Sequence, residues 1–103
     1  MSAKNFRNVE VFEGDVFETL PKYLENHPAT RISLLHLDLD VFAPTKYALE
    51  LLWERVVKNG IVIFDDYGTV EGETVVVDKF LDNHDLKLIK GPYGAVPSYV
   101  IKP

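Results

Sequence analysis

The spacing of apolar and polar residues changes several times along the chain, and each change predicts an element. Between Asn8 and Glu13, Val9 and Val11 alternate with Glu10 and Phe12, which reads as a strand that Gly14-Asp15 ends. Val16, Leu20, Tyr23 and Leu24 then fall at i, i+4, i+7 and i+8, one face of a helix. A proline is tolerated in a first turn, so Pro21 predicts Thr19 as the cap and a helix running to about Asn26. His27-Pro28-Ala29-Thr30 reads as a loop.

Ile32 to Leu39 is almost continuously apolar, the pattern of a strand buried on both faces of a parallel sheet. Ala43-Pro44-Thr45 opens a helix whose inner stripe is Ala48, Leu49, Leu52 and Val56, flanked by Trp53, with Asn59-Gly60 as its left-handed stop. Ile61 to Phe64 is a second buried strand. In Glu73 to Asn83, Val75-Val76-Val77 favours a strand by propensity, yet Val76, Val77, Phe80 and Leu81 keep a helical stripe, which predicts a helix. Leu86 to Ile89 and Tyr99 to Ile101 are short β runs whose connection is too short for a crossover helix, so they should pair antiparallel.

The predicted order is therefore βαβαβα followed by a β-hairpin, an α/β chain, and 103 residues allow one domain at most. A hydrophobic fraction of 47% is too high for disorder. The net charge of −5 repels phosphate backbones, and no Lys/Arg run offsets it, which argues against nucleic acid. Without cysteine there is no disulfide or thiolate zinc site, so a metal would be held by oxygen or histidine. Runs such as Ile61 to Phe64 are far shorter than the roughly 20 residues that span a bilayer, and Met1 to Asn5 lacks an apolar signal core. A cytoplasmic location is the expectation.

Both buried strands end in carboxylates: Asp38 and Asp40 after one, Asp65 and Asp66 after the other. Neighbouring parallel strands bring their carboxyl ends to one edge, so four acidic side chains converge there. Like charges at short range need a shared proton, a basic partner or a hard cation, and no Arg or Lys stands close in sequence. A Mg²⁺ or Ca²⁺ site is one reading; capping of the following helix or loop is the other. Alternation points His36, Asp38 and Asp40 to one side, so one aspartate could hold metal while the other acts as a general base. His36, deeper in the strand, reads as a core histidine, and His27 and His84 as surface residues at helix ends. Tyr67-Gly68 and Pro92-Tyr93-Gly94 read as turn aromatics.

Three ordered runs carry a resemblance. Gly14-Asp15-Val16-Phe17-Glu18-Thr19-Leu20-Pro21, then Leu37-Asp38-Leu39-Asp40-Val41-Phe42-Ala43-Pro44-Thr45, then Gly60-Ile61-Val62-Ile63-Phe64-Asp65-Asp66-Tyr67-Gly68 together resemble the macrocin O-methyltransferase family. That family is a metal-assisted branch of the class I methyltransferases, which use S-adenosylmethionine and often act on sugar hydroxyls. The resemblance implies a partial Rossmann-like methyltransferase sheet whose final hairpin is the closing antiparallel pair. It also implies Asp38, Asp65 and Asp66 as Mg²⁺ ligands, Asp40 as the base for the acceptor hydroxyl, and Asp15 and Val16 at the adenine ring of the cofactor.

The family's first half, with the glycine-rich loop that cradles the cofactor, has no counterpart upstream of Asn8. The chain is therefore expected to be the C-terminal half of a methyltransferase domain, inactive by itself and associated either with copies of itself or with a missing N-terminal half. Two rivals remain. A haloacid-dehalogenase-type phosphotransferase also sets Asp-x-Asp after a strand, although the 27 residues from Asp38 to Asp65 leave no room for its intervening lysine and threonine motifs. A non-catalytic oligomeric α/β module would explain the strand edges that a half-fold must cover.

Overall fold

A computed structural model describes residues 9–39, 41–65, 71–90 and 98–103. Asp40, Asp66, Tyr67-Gly68 and the turn Pro92-Tyr93-Gly94 lie outside the described residues. The elements are α1 (Val16–Asn26), β1 (Ile32–Leu37), α2 (Phe42–Leu52), β2 (Val56–Phe64), α3 (Glu71–His84), β3 (Ile89–Lys90) and β4 (Ser98–Ile101). A 3₁₀ turn, Trp53–Arg55, joins α2 to β2.

The four strands form one sheet in the order β1-β2-β4-β3. β1 and β2 are parallel, while β4 runs antiparallel to β2 and to β3. The closing antiparallel pair is thus present, and the mixed α/β class stands. Register assigns every side chain to a face. Leu35 and Leu37 of β1 share one face with Val62 and Phe64 of β2 and with Val100 and Ser98 of β4. Ala48, Leu49 and Trp53, from α2 and the turn after it, pack on that face together with Val76, Val77 and Phe80 of α3 to make the core.

Four expectations change. Val9 to Glu13 is not a strand among the described residues, and Val11 and Phe12 are exposed. Its alternation is β-like, but among the described residues no sheet edge pairs with it, and an unpaired strand is not stable in water. Instead Phe12 sets its ring edge-on against Tyr23 of α1, with centroids 5.4 Å apart.

The cap of α1 is Asp15 rather than Thr19. Its carboxylate accepts from the Phe17 N–H at 2.9 Å, while its carbonyl accepts from the Glu18 and Thr19 N–H groups. Asp is among the best N-caps, and the helix it opens carries Pro21 in its interior, where a proline removes one intrahelical hydrogen bond. Gly14 supplies the entry at φ 129°, a conformation costly to any other residue.

Asn59-Gly60 does not stop α2, because that helix already ends at Leu52. The pair lies inside β2, where the register against β1 shifts between Ile32 and Leu34. Asn59 takes φ 68° there, and a Cβ on Gly60 would meet Val56 Cγ1 and the Val57 carbonyl at 2.8 Å. The left-handed signal was real, but it marks a bulge that lets two backbones approach closely. Val56, expected on the helix stripe, is still buried, as the first residue of the strand.

Finally, β1 is covered on one face only. Leu37 is buried, but Leu34 is 57% exposed. Helix α1 contacts α2, and its Leu20 packs against the core, while Leu20, Tyr23 and Leu24 share an open groove with Leu34.

Candidate functional site

The carboxyl ends of β1 and β2 lie side by side. Leu37 and Phe64 are register partners, and the Asp65 N–H donates to the Leu37 carbonyl at 3.1 Å, carrying the ladder one step beyond β2. Asp38 and Asp65 therefore occupy successive positions at one edge, where parallel strands stand about 4.8 Å apart. Asp38 is exposed and Asp65 partly buried. The strand ends thus set the backbones of this pair side by side, while Asp40 and Asp66 are outside the described residues.

His36 is not a core residue. Its side chain is 51% exposed, and its Nε2 lies 3.0 Å from Oδ1 of Asp65, whose side chain is 37% exposed. Parallel register explains the meeting: His36 pairs with Ile63, and Asp65 lies two residues farther along on the same face. An ionised carboxylate only accepts, so the imidazole donates from Nε2. Sequence reasoning had the two ingredients, alternation in β1 and adjacency of the two strands. It missed the two-residue offset from the register partner Ile63 that puts His36 against Asp65.

The start of α1 lies at the same end of the fold. Phe17, in its first turn, packs against Tyr47 of α2 with ring centroids 4.9 Å apart, and α2 itself begins just beyond the end of β1. Asp15 is exposed, with one carboxylate oxygen used by the helix, and Val16 is half-buried at the rim of an open cleft of about 520 Å³ that Phe12, Leu20 and Tyr23 also line. His27 stacks on Tyr23 at 4.4 Å, and His84 ends α3 beside Phe80; both are exposed, as expected.

Among the described residues no three His, Asp or Glu side chains gather closely enough to hold a metal ion. What is described is two oxygen donors on adjacent strand ends, one of them anchored by a histidine. Carboxylate oxygens of this kind are the donors that hard divalent cations take.

A partly parallel sheet closed by an antiparallel pair, helices on one face and acid groups at the carboxyl edge, defines a partial Rossmann-like methyltransferase fold. Residues 3–92 match the family model for macrocin O-methyltransferase, and the chain belongs to that family. Two solved structures are similar. An apo structure of CalS11, described as a TDP-rhamnose 3'-O-methyltransferase of calicheamicin biosynthesis, is 38% identical with a TM-score of 0.78, over 87% of this chain and 40% of that one. A second CalS11 structure, a calicheamicin methyltransferase, is 37% identical with a TM-score of 0.78, over 86% of this chain and 35% of that one. This chain thus spans less than half the length of these relatives. No curated protein matches it at a significant level. Family membership sets aside the phosphotransferase reading. Among the described residues no helix is long and apolar enough to cross a membrane.

Proposed function

We propose that this chain is the acidic-edge portion of a Mg²⁺-assisted, S-adenosylmethionine-dependent O-methyltransferase acting on a sugar or another small-molecule hydroxyl. The observation that carries the reading is the side-by-side placement of Asp38 and Asp65 at the carboxyl edge, in a chain of this family. The similar CalS11 enzyme, a TDP-rhamnose 3'-O-methyltransferase, supports a sugar as acceptor.

In this reading Asp38, Asp65 and Asp66 hold the cation and Asp40 takes the proton of the acceptor hydroxyl. Bound Mg²⁺ supplies positive charge that lowers the hydroxyl's pKa, and S-adenosylmethionine supplies the methyl group. The chain's own part is positional. Asp38 and Asp65 directly follow two paired strands, which sets their backbones side by side, and Asp40 follows Asp38 by two residues in the sequence. Asp15 and Val16, at the start of α1, stand at the same end as this edge and serve the adenine ring.

Calorimetry with Mg²⁺ on this chain tests the core of the reading. Binding heat is expected, and Asp65→Asn and Asp38→Asn should each remove most of it. Mg²⁺ binding indifferent to both substitutions would sink the assignment.

A further inference from the structure

We infer that His36 is a positioning residue that holds the Asp65 carboxylate in place for cation binding, an inference that rests on the reading of the acidic edge given above. The Nε2 to Oδ1 distance of 3.0 Å is that of an ordinary N–H···O hydrogen bond. It uses Oδ1 of Asp65, and among the described residues no hydrogen bond to Oδ2 is seen. The donor sits within β1, one residue behind the register partner of Phe64, so its backbone is fixed by the parallel ladder. Asp65, by contrast, sits just past the end of β2, where the strand no longer restrains its side chain.

Exposure separates this role from a purely structural one. Both side chains are more than a third exposed, and pairs of this kind contribute little to folding. What the hydrogen bond can do is restrict the carboxylate to one orientation, so that less freedom is lost when an ion binds. Hydrogen bonds from a neighbouring side chain to a ligating carboxylate act in this way, and their loss typically weakens metal affinity by about 10- to 100-fold. The remaining ring nitrogen, Nδ1, is left as an acceptor on the open face.

The test is Mn²⁺ binding to the full chain, followed by water-proton relaxation, together with long-range ¹H–¹⁵N spectra of the histidine rings. His36→Leu should weaken Mn²⁺ binding about tenfold or more. His36→Gln, whose amide nitrogen falls near the Nε2 position, should bind close to the wild-type level. Thermal melts of both variants should overlay the wild type, because the side chain is exposed. The ring spectrum should show His36 protonated on Nε2, with a shift in Asp65→Asn. A leucine variant that binds Mn²⁺ as tightly as wild type, or a ring protonated on Nδ1, overturns the inference and leaves the cation reading standing. A wild-type chain that binds no Mn²⁺ overturns both.

Discussion

Alternate residues of the same strands meet opposite surroundings in this molecule. On one face Leu37, Val62, Phe64 and Val100 lie beneath α2 and α3, and the last three are wholly hidden from solvent. On the other, Leu34 and Ile101 are exposed, Ile61, Ile63 and Tyr99 are half-buried, and Ile89 of β3 stands at the margin. Both faces are about equally apolar, so hydrophobicity alone does not distinguish the covered face from the open one. The distinction comes from the helices: the described ones pack on the first face. An apolar sheet face of this kind is the surface on which a second layer of a parallel α/β fold rests. The His36–Asp65 pair lies on the open side as well, since both residues share the register face of Leu34 and Ile63.

The largest effect that would test this contrast comes from the covered face. Phe64→Ala removes a ring with 0% exposure at the centre of the core, and loss of such a side chain costs about 3–5 kcal/mol. That is a large share of the roughly 5–15 kcal/mol by which domains are stable. Urea unfolding followed through Trp53, the single tryptophan and a buried one, should show the midpoint fall steeply, or no folded baseline at all. A change below about 1 kcal/mol would mean that the two faces are not as different as they look.

How much of this was legible in the sequence follows from the same contrast. The helices α2 and α3 were, because their stripes, Ala48-Leu49-Leu52 and Val76-Val77-Phe80, are the residues that end up buried. So was the antiparallel closing pair, from the shortness of its connection. The stretch Val9 to Glu13 misled because alternation reports the capacity to pair, while pairing itself needs an edge that this chain does not place beside it. Asn59 and Gly60 misled because a positive φ has more than one use, and local sequence cannot say whether a helix stop or a bulge is built from it. At the candidate site, Asp38 and Asp65 were legible as strand-end acids. The His36–Asp65 bond depends on cross-strand register, which no single segment encodes.

An intermediate effect is expected at α1, which borders both regions: Leu24 is buried, and Phe17 is partly exposed at the end of the fold where the acids lie. Asp15→Ala removes the oxygen that accepts from the Phe17 N–H and should cost about 1 kcal/mol, with loss of helical signal at the start of α1. Asp15→Asn keeps a capping oxygen and should be close to neutral. If the asparagine variant loses as much as the alanine one, the carboxylate's charge at the helix N-terminus, rather than the cap bond, is what stabilises this end.

The smallest effect is the sharpest check on the open face. Leu34→Ser takes an apolar side chain that is 57% exposed and makes it polar. In the chain as a monomer the unfolding free energy should move by no more than about 0.5 kcal/mol, the usual range for surface changes. It should also lessen any concentration-dependent association, because less apolar area remains to be covered. A loss of about 2 kcal/mol or more would place Leu34 in a buried environment, the result expected if this chain covers its own open face by pairing copies. The two cases separate on dilution: a folding contribution from self-association fades as the protein is diluted, whereas one from packing within the chain does not.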